Sequence, residues 1–179
     1  MNDIRLHDLR FRRYLPHESI VQRIAQMADE INRDFDGQHP LFLGILNGCF
    51  MFAADLMKNI TIPCEISFIR LSSYRGTTST NQVTMPIGLD RSVQDRNVII
   101  LEDIVDTGKT LYELFRTLRP QRPSQIAIAA LLLKPAALQY HLHIDYVGFQ
   151  VPNDFLVGYG LDYDGLGRNL RDIYSKIPG

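Results

Sequence analysis

Cysteine is scarce in this chain of 179 residues: only Cys49 and Cys64 occur, without C-x-x-C spacing and in apolar surroundings. They read as buried free thiols, which leaves no disulfide framework and no cysteine metal cluster. An excess of charge of either sign is missing too, with 19 Lys and Arg against 20 Asp and Glu and a net charge of -1. That balance argues against a broad nucleic-acid-binding face. It also requires an anionic substrate to be held by local donors and metal rather than by the field of the whole protein. No apolar run approaches the roughly 18 residues of a membrane-spanning helix. Met1-Asn2-Asp3-Ile4-Arg5 lacks the apolar core of a signal peptide. A reducing cytoplasm is the expected setting, with no membrane and no nucleic-acid partner. Internal repeats, low-complexity tracts and linkers are absent as well. The chain suits one domain, 1–179, that buries roughly 70% of its unfolded surface.

What is present is an alternation of strand and helix signals. Ile20, Ile24, Met27, Ala28, Ile31 and Phe35 fall at helical spacing between Pro16 and Phe35. Leu41–Leu46 reads as a short buried strand, after which Asn47-Gly48 turns the chain into a helix from about Phe50 to Asn59. Strands follow at Glu65–Leu71, Asn97–Leu101 and Ile126–Leu133, with a helix at Thr110–Leu118. Strand–helix–strand units in this order predict an α/β fold, a mostly parallel twisted sheet flanked by helices. The core is expected at about 37–145. The segments 1–36 and 146–179 are expected to form a small cap over the sheet's carboxyl edge.

The richest stretch is Val98-Ile-Ile-Leu-Glu-Asp-Ile-Val-Asp-Thr-Gly-Lys-Thr-Leu111. A β-branched run without polar alternation suits a strand covered on both faces. Ligands of such sheets sit outside the strands' carboxyl ends, where the next helix offers unpaired N–H groups to an anion. Asp106-Thr107-Gly108-Lys109-Thr110 can cradle a phosphate, and Glu102-Asp103 can face hydroxyls or a divalent metal. Gly108-Lys109-Thr110 also ends like an ATP-binding P-loop, but that motif needs a glycine where this chain has Asp103. Two carboxylates would repel a triphosphate, whereas the hydroxyls of a sugar phosphate match them.

The segment resembles the phosphoribosyl-pyrophosphate signature of type I phosphoribosyltransferases, in the wording found in hypoxanthine(-guanine) phosphoribosyltransferases. The resemblance runs from about Leu41 to Arg168 through separate motifs in the family's order. It implies that Asp106 is the general base toward the purine. It gives Glu102 and Asp103 to ribose hydroxyls and magnesium, and Thr107, Gly108, Lys109 and Thr110 to the 5′-phosphate. Leu46-Asn47-Gly48 matches the family's pyrophosphate loop with its non-proline cis peptide, and Arg168 a pyrophosphate contact. Many relatives carry Lys or Arg at the position of Asn47, so one side-chain charge is missing here. By the same resemblance Lys134 donates to the purine 6-oxo group, Phe155 stacks on the base and the backbone of Leu156 reads its edge. Asp162 matches a magnesium ligand. Ser73-Tyr74, within the polar stretch 72–85, matches a lid.

Each residue also has a plainer reading. Asp106 is a helix N-cap, Glu102 and Asp103 are solvated strand-end charges, and Asn47-Gly48 is an ordinary turn. Lys134 is a snorkelling surface charge, Phe155 is core, and His141 and His143 are two surface histidines. The implied activity is purine salvage: hypoxanthine, and guanine, joined to phosphoribosyl pyrophosphate to give the nucleoside monophosphate and pyrophosphate, with Mg2+ as cofactor. A homo-oligomer, dimer or tetramer, is implied with it. The alternatives are a xanthine-preferring relative and a nucleotide-sensing regulator on the same fold. A regulator would carry a basic face or a helix-turn-helix extension, and neither is visible.

Overall fold

The computed structural model describes residues 3–73, 83–87, 89 and 91–178. Among them, ten strands and three α-helices follow in chain order: β1 (Ile4–Leu6), β2 (Leu9–Leu15), α1 (His17–Asp34), β3 (Leu41–Leu46), α2 (Phe50–Met57), β4 (Glu65–Ser73), β5 (Val83–Ile87), β6 (Asn97–Val105), α3 (Lys109–Leu118), β7 (Gln125–Leu133), β8 (Tyr146–Gln150), β9 (Leu156–Val157) and β10 (Ile173–Lys176).

The core sheet has the order β5-β4-β3-β6-β7-β8. Its five strands other than β5 are parallel, and only the edge strand β5 runs antiparallel. The reason lies in the sequence: β3, β6 and β7 are apolar at successive positions, so both faces must be covered. Phe42, Ile99, Leu101, Ala127 and Ala129 face the helices α1 and α2. The intervening Leu41, Leu43, Val98, Ile100 and Ile128 face α3 through Leu111, Leu114 and Leu118. The chain leaves β3 toward β4 on one side and β6 toward β7 on the other. The strand order therefore reverses between β3 and β6, and a crevice opens outside their carboxyl ends.

A second, antiparallel sheet, β1-β2-β10-β9, forms the cap. Its boundaries differ from the expected ones. Helix α1 packs into the core through Ile20, Ile24, Met27, Ala28 and Ile31, and β8 closes the core sheet. The cap strands thus come from 4–15 and 156–176 rather than from 1–36 and 146–179. Strand β6 also runs four residues past the expected Leu101, because Glu102, Ile104 and Val105 keep pairing with β7. Of the stretch 72–85, Ser73 ends β4 and 83–85 begin β5, paired antiparallel with each other. Tyr74 of the expected lid lies outside the described residues. Cys49 is buried, whereas Cys64 is only half-buried; both are free thiols. Among the described residues no helix is long and apolar enough to cross a membrane.

Candidate active site

Two hollows lie side by side in the crevice. The smaller, of about 70 Å³, is lined by Glu102, Val105, Thr107, Gly108 and Thr110. The larger, of about 350 Å³, is lined by Gly48, Asp103, Lys134, Phe155, Leu156, Leu161, Asp162 and Arg168. Ile104 and Asp106 border both.

The smaller hollow is built by the turn between β6 and α3. Gly108 adopts φ +82° as the N-cap of α3, so the N-cap position itself offers no side-chain acceptor. A Cβ at Gly108 would press on the Leu138 and Leu142 methyl groups at 3.0 Å. The Lys109 amide donates to Thr107 Oγ1 at 3.3 Å, and Gln139 N–H donates to the Thr107 carbonyl at 3.0 Å. Among the described residues no protein acceptor takes the amides of Thr107, Gly108 and Thr110. These donors, at the positive end of α3, suit a phosphoryl group.

Acidic side chains floor the crevice. Glu102 is 8% exposed, and its Oε2 has no hydrogen-bond partner. Burial, and then the charge of Asp103, pushes the Glu102 carboxyl well above its ordinary range. Burial lifts Asp103 to about 6, although the Ile104 amide and Arg168 oppose the rise. An unmet acceptor in so dry a place calls for a hydroxyl or a cation. The plain reading of solvated strand-end charges fails, because both acids sit within β6.

Lys134 is 7% exposed, so it is no snorkelling surface charge. Its Nζ lies 3.5 Å from Asp106 Oδ2, and its amide donates to the Val105 carbonyl at 2.9 Å. Asp106 makes this ion pair rather than capping α3. Phe155 is 43% exposed, so it is not core. Its ring meets Tyr163 edge-on at 5.6 Å and Phe11 at 6.2 Å, leaving a face toward the hollow.

The turn after β3 closes the crevice. The Leu46-Asn47 peptide is cis. Gly48 packs so tightly on the Asp103 carboxylate that a Cβ has no room, and a Cβ on Gly160 would strike the Gly48 carbonyl. Arg168 donates to Asp162 Oδ1 at 2.7 Å and to the Gly160 carbonyl at 2.7 Å. The Gly165 amide donates to Asp162 Oδ2 at 2.8 Å.

The model of the phosphoribosyl transferase domain matches residues 12–164. The chain belongs to this family. A hypoxanthine-guanine phosphoribosyltransferase of Mycobacterium tuberculosis is 40% identical over 92% of this chain and 85% of its own. One from Streptococcus mutans is 38% identical over 89% and 93%. The crystal structure of a hypoxanthine-guanine phosphoribosyltransferase from Bacillus anthracis, with a HEPES molecule in its active site, superimposes with a TM-score of 0.87 at 36% identity, covering 93% of this chain and 98% of that one.

Within this phosphoribosyltransferase fold, one crevice brings together part of the residues read from the sequence; Leu46, Asn47 and Ser73 line neither hollow. Glu102, Asp103, Asp106–Thr110, Gly48, Lys134, Phe155, Leu156, Asp162 and Arg168 all border it or build its turns. The three acids expected to face metal do not form a cage: among the described residues no three His, Cys, Asp or Glu groups converge as metal ligands. Arg168 is engaged by Asp162 instead of standing free. His141 and His143 are exposed and lie outside both hollows. Sequence reasoning missed Gly160, Leu161 and the Leu138–Leu142 brace behind Gly108. The Gly158-Tyr159-Gly160 pattern was the available signal for the first two.

Proposed function

We infer that this phosphoribosyltransferase joins hypoxanthine and guanine to 5-phosphoribosyl 1-pyrophosphate, releasing pyrophosphate in purine salvage. The reading is carried by one juxtaposition: the Lys134–Asp106 pair stands between an open amide cradle and an acid-floored hollow. The amides of Thr107, Gly108 and Thr110 take the 5′-phosphate, with Lys109 beside them. Glu102 and Asp103 accept from the ribose hydroxyls. Phe155 stacks on the purine, the Leu156 backbone reads its edge and Lys134 donates to its 6-oxo group. Adenine has a donor there, so the ammonium rejects it.

As the ring nitrogen bonds to the ribose anomeric carbon, the carbon–oxygen bond to pyrophosphate breaks and the nitrogen's proton passes toward Asp106. Leu46, Asn47, Gly48 and Arg168 hold the leaving group. Glu102, Asp103 and Asp162 are hard oxygen donors lining the two hollows and would hold Mg2+ there. When bound, the ion neutralises charge on the leaving pyrophosphate. Ser73 and Tyr74 act in the lid. A cytoplasmic homo-oligomer, dimer or tetramer, completes the reading. It is supported by two free thiols and by exposed Phe50, Ile66 and Tyr112 outside the crevice.

The test is pyrophosphate release with phosphoribosyl pyrophosphate, Mg2+ and each base separately. Release is expected with hypoxanthine and guanine. No release with any 6-oxopurine overturns the reading, release with xanthine alone replaces it by the xanthine enzyme, and release with adenine alone overturns the role of Lys134.

A further inference from the structure

Tyr159 is fully buried, yet it belongs to the arc that carries Leu161, Asp162 and Arg168. Its hydroxyl donates to Asp55 Oδ2 at 2.5 Å. Asp55 lies on α2, the helix that starts directly behind the Leu46–Gly48 turn. That helix is joined to the turn by the Phe50 amide, which donates to the Asn47 carbonyl, and by the Ala53 amide, which donates to the Cys49 carbonyl. On the other side, the Tyr159 amide donates to the Leu170 carbonyl at 2.8 Å and the Gly160 amide to the Arg168 carbonyl at 3.0 Å. Among the described residues, the Tyr159–Asp55 bond is the one side-chain hydrogen bond between this arc and α2.

The two walls of the larger hollow are therefore held by opposite constraints. Gly160 against the Gly48 carbonyl sets how near they come. The phenol–carboxylate bond sets how far apart they can drift. Helix α2 is short and apolar, so a carboxylate on its inner side without a partner would be costly. Lys58 also reaches Asp55, at Oδ1 and 2.8 Å, which leaves Oδ2 to the phenol.

We propose that Tyr159 and Asp55 are a positioning pair that fixes the separation of the 46–48 turn from the Asp162–Arg168 arc, and so the grip on pyrophosphate. This rests on the proposed transferase reading. Neither side chain touches substrate; both act through the walls they join.

The test is Tyr159→Phe, which keeps the ring and removes the hydroxyl, beside Asp55→Asn, which keeps an acceptor. KM for phosphoribosyl pyrophosphate should rise on the order of tenfold in Tyr159→Phe, while KM for hypoxanthine stays within about twofold. Asp55→Asn should retain most of the wild-type value, and the double variant should be no worse than Tyr159→Phe. Calorimetric binding of magnesium pyrophosphate reads the same separation without turnover, and should weaken on the order of tenfold in Tyr159→Phe. A lower melting temperature with unchanged pyrophosphate binding, or equal rises in both KM values, overturns the proposal. A wild type that binds pyrophosphate but transfers nothing sinks the transferase reading, and the binding comparison still decides the pair.

Discussion

Asp106 and Asp103 are three positions apart and carry opposite expectations. Asp106 is half-exposed and paired with Lys134, so an asparagine there keeps the shape and an acceptor for Lys134 while removing the proposed proton acceptor. Asp106→Asn should lower kcat by ~10²–10⁴-fold with little change in KM for phosphoribosyl pyrophosphate, measured by initial rates. Burial makes the ionised Asp103 carboxylate a burden on stability. Its folded value of about 6 lies above the ordinary 3.8, so the folded state binds its proton more tightly than the unfolded chain. Stability is therefore undiminished below pH 3.8, falls as pH rises between the two values and stays reduced above about 6, by roughly 3 kcal/mol. In a chelator, Asp103→Asn should be more stable than the wild type in denaturant well above the folded value, and about equal to it at pH 3.8. An equal gain at both ends would refute the account.

At the scale of elements, the 46–48 turn depends on close approach. Gly48→Ala forces a methyl group into the Asp103 carboxylate, so the turn or the acid must move. Pyrophosphate binding should fall on the order of a hundredfold by calorimetry, with far less effect on melting temperature. How much was legible in sequence follows from what each element touches. Strands β3, β6 and β7 were readable because a strand buried on both faces must be apolar throughout. The end of β6 was not, because Glu102 and Asp103 interrupt the apolar run while the backbone keeps its ladder. Cap strand β2, Leu-Arg-Phe-Arg-Arg-Tyr-Leu, buries only Phe11 fully and so carries almost no pattern. Leu156–Val157 is too short to have one. The phosphate turn was legible because its residues are contiguous. Tyr159 was not, since its acceptor lies 104 positions away.

For the molecule as a whole, the crevice joins two sheets that share no strand. A ligand that spans both hollows should tie them together and raise the melting temperature by mass action. Phosphoribosyl pyrophosphate with Mg2+ at about a hundred times its Kd should stabilise by about 2.7 kcal/mol, read by scanning calorimetry. Withholding Mg2+ should remove most of the shift. An equal shift without the ion would refute its place in the site.

The aromatic trio of Phe11, Phe155 and Tyr163 packs strand β2 against the proposed purine subsite. Phe11 sits behind the ring proposed to stack on the purine, and it comes from the second strand of the polypeptide. Shortening the amino terminus past that strand, or crowding it with a bulky fusion, should therefore read out as poorer purine affinity. Recognition of the 5′-phosphate, built on the turn between β6 and α3 of the other sheet, should be spared.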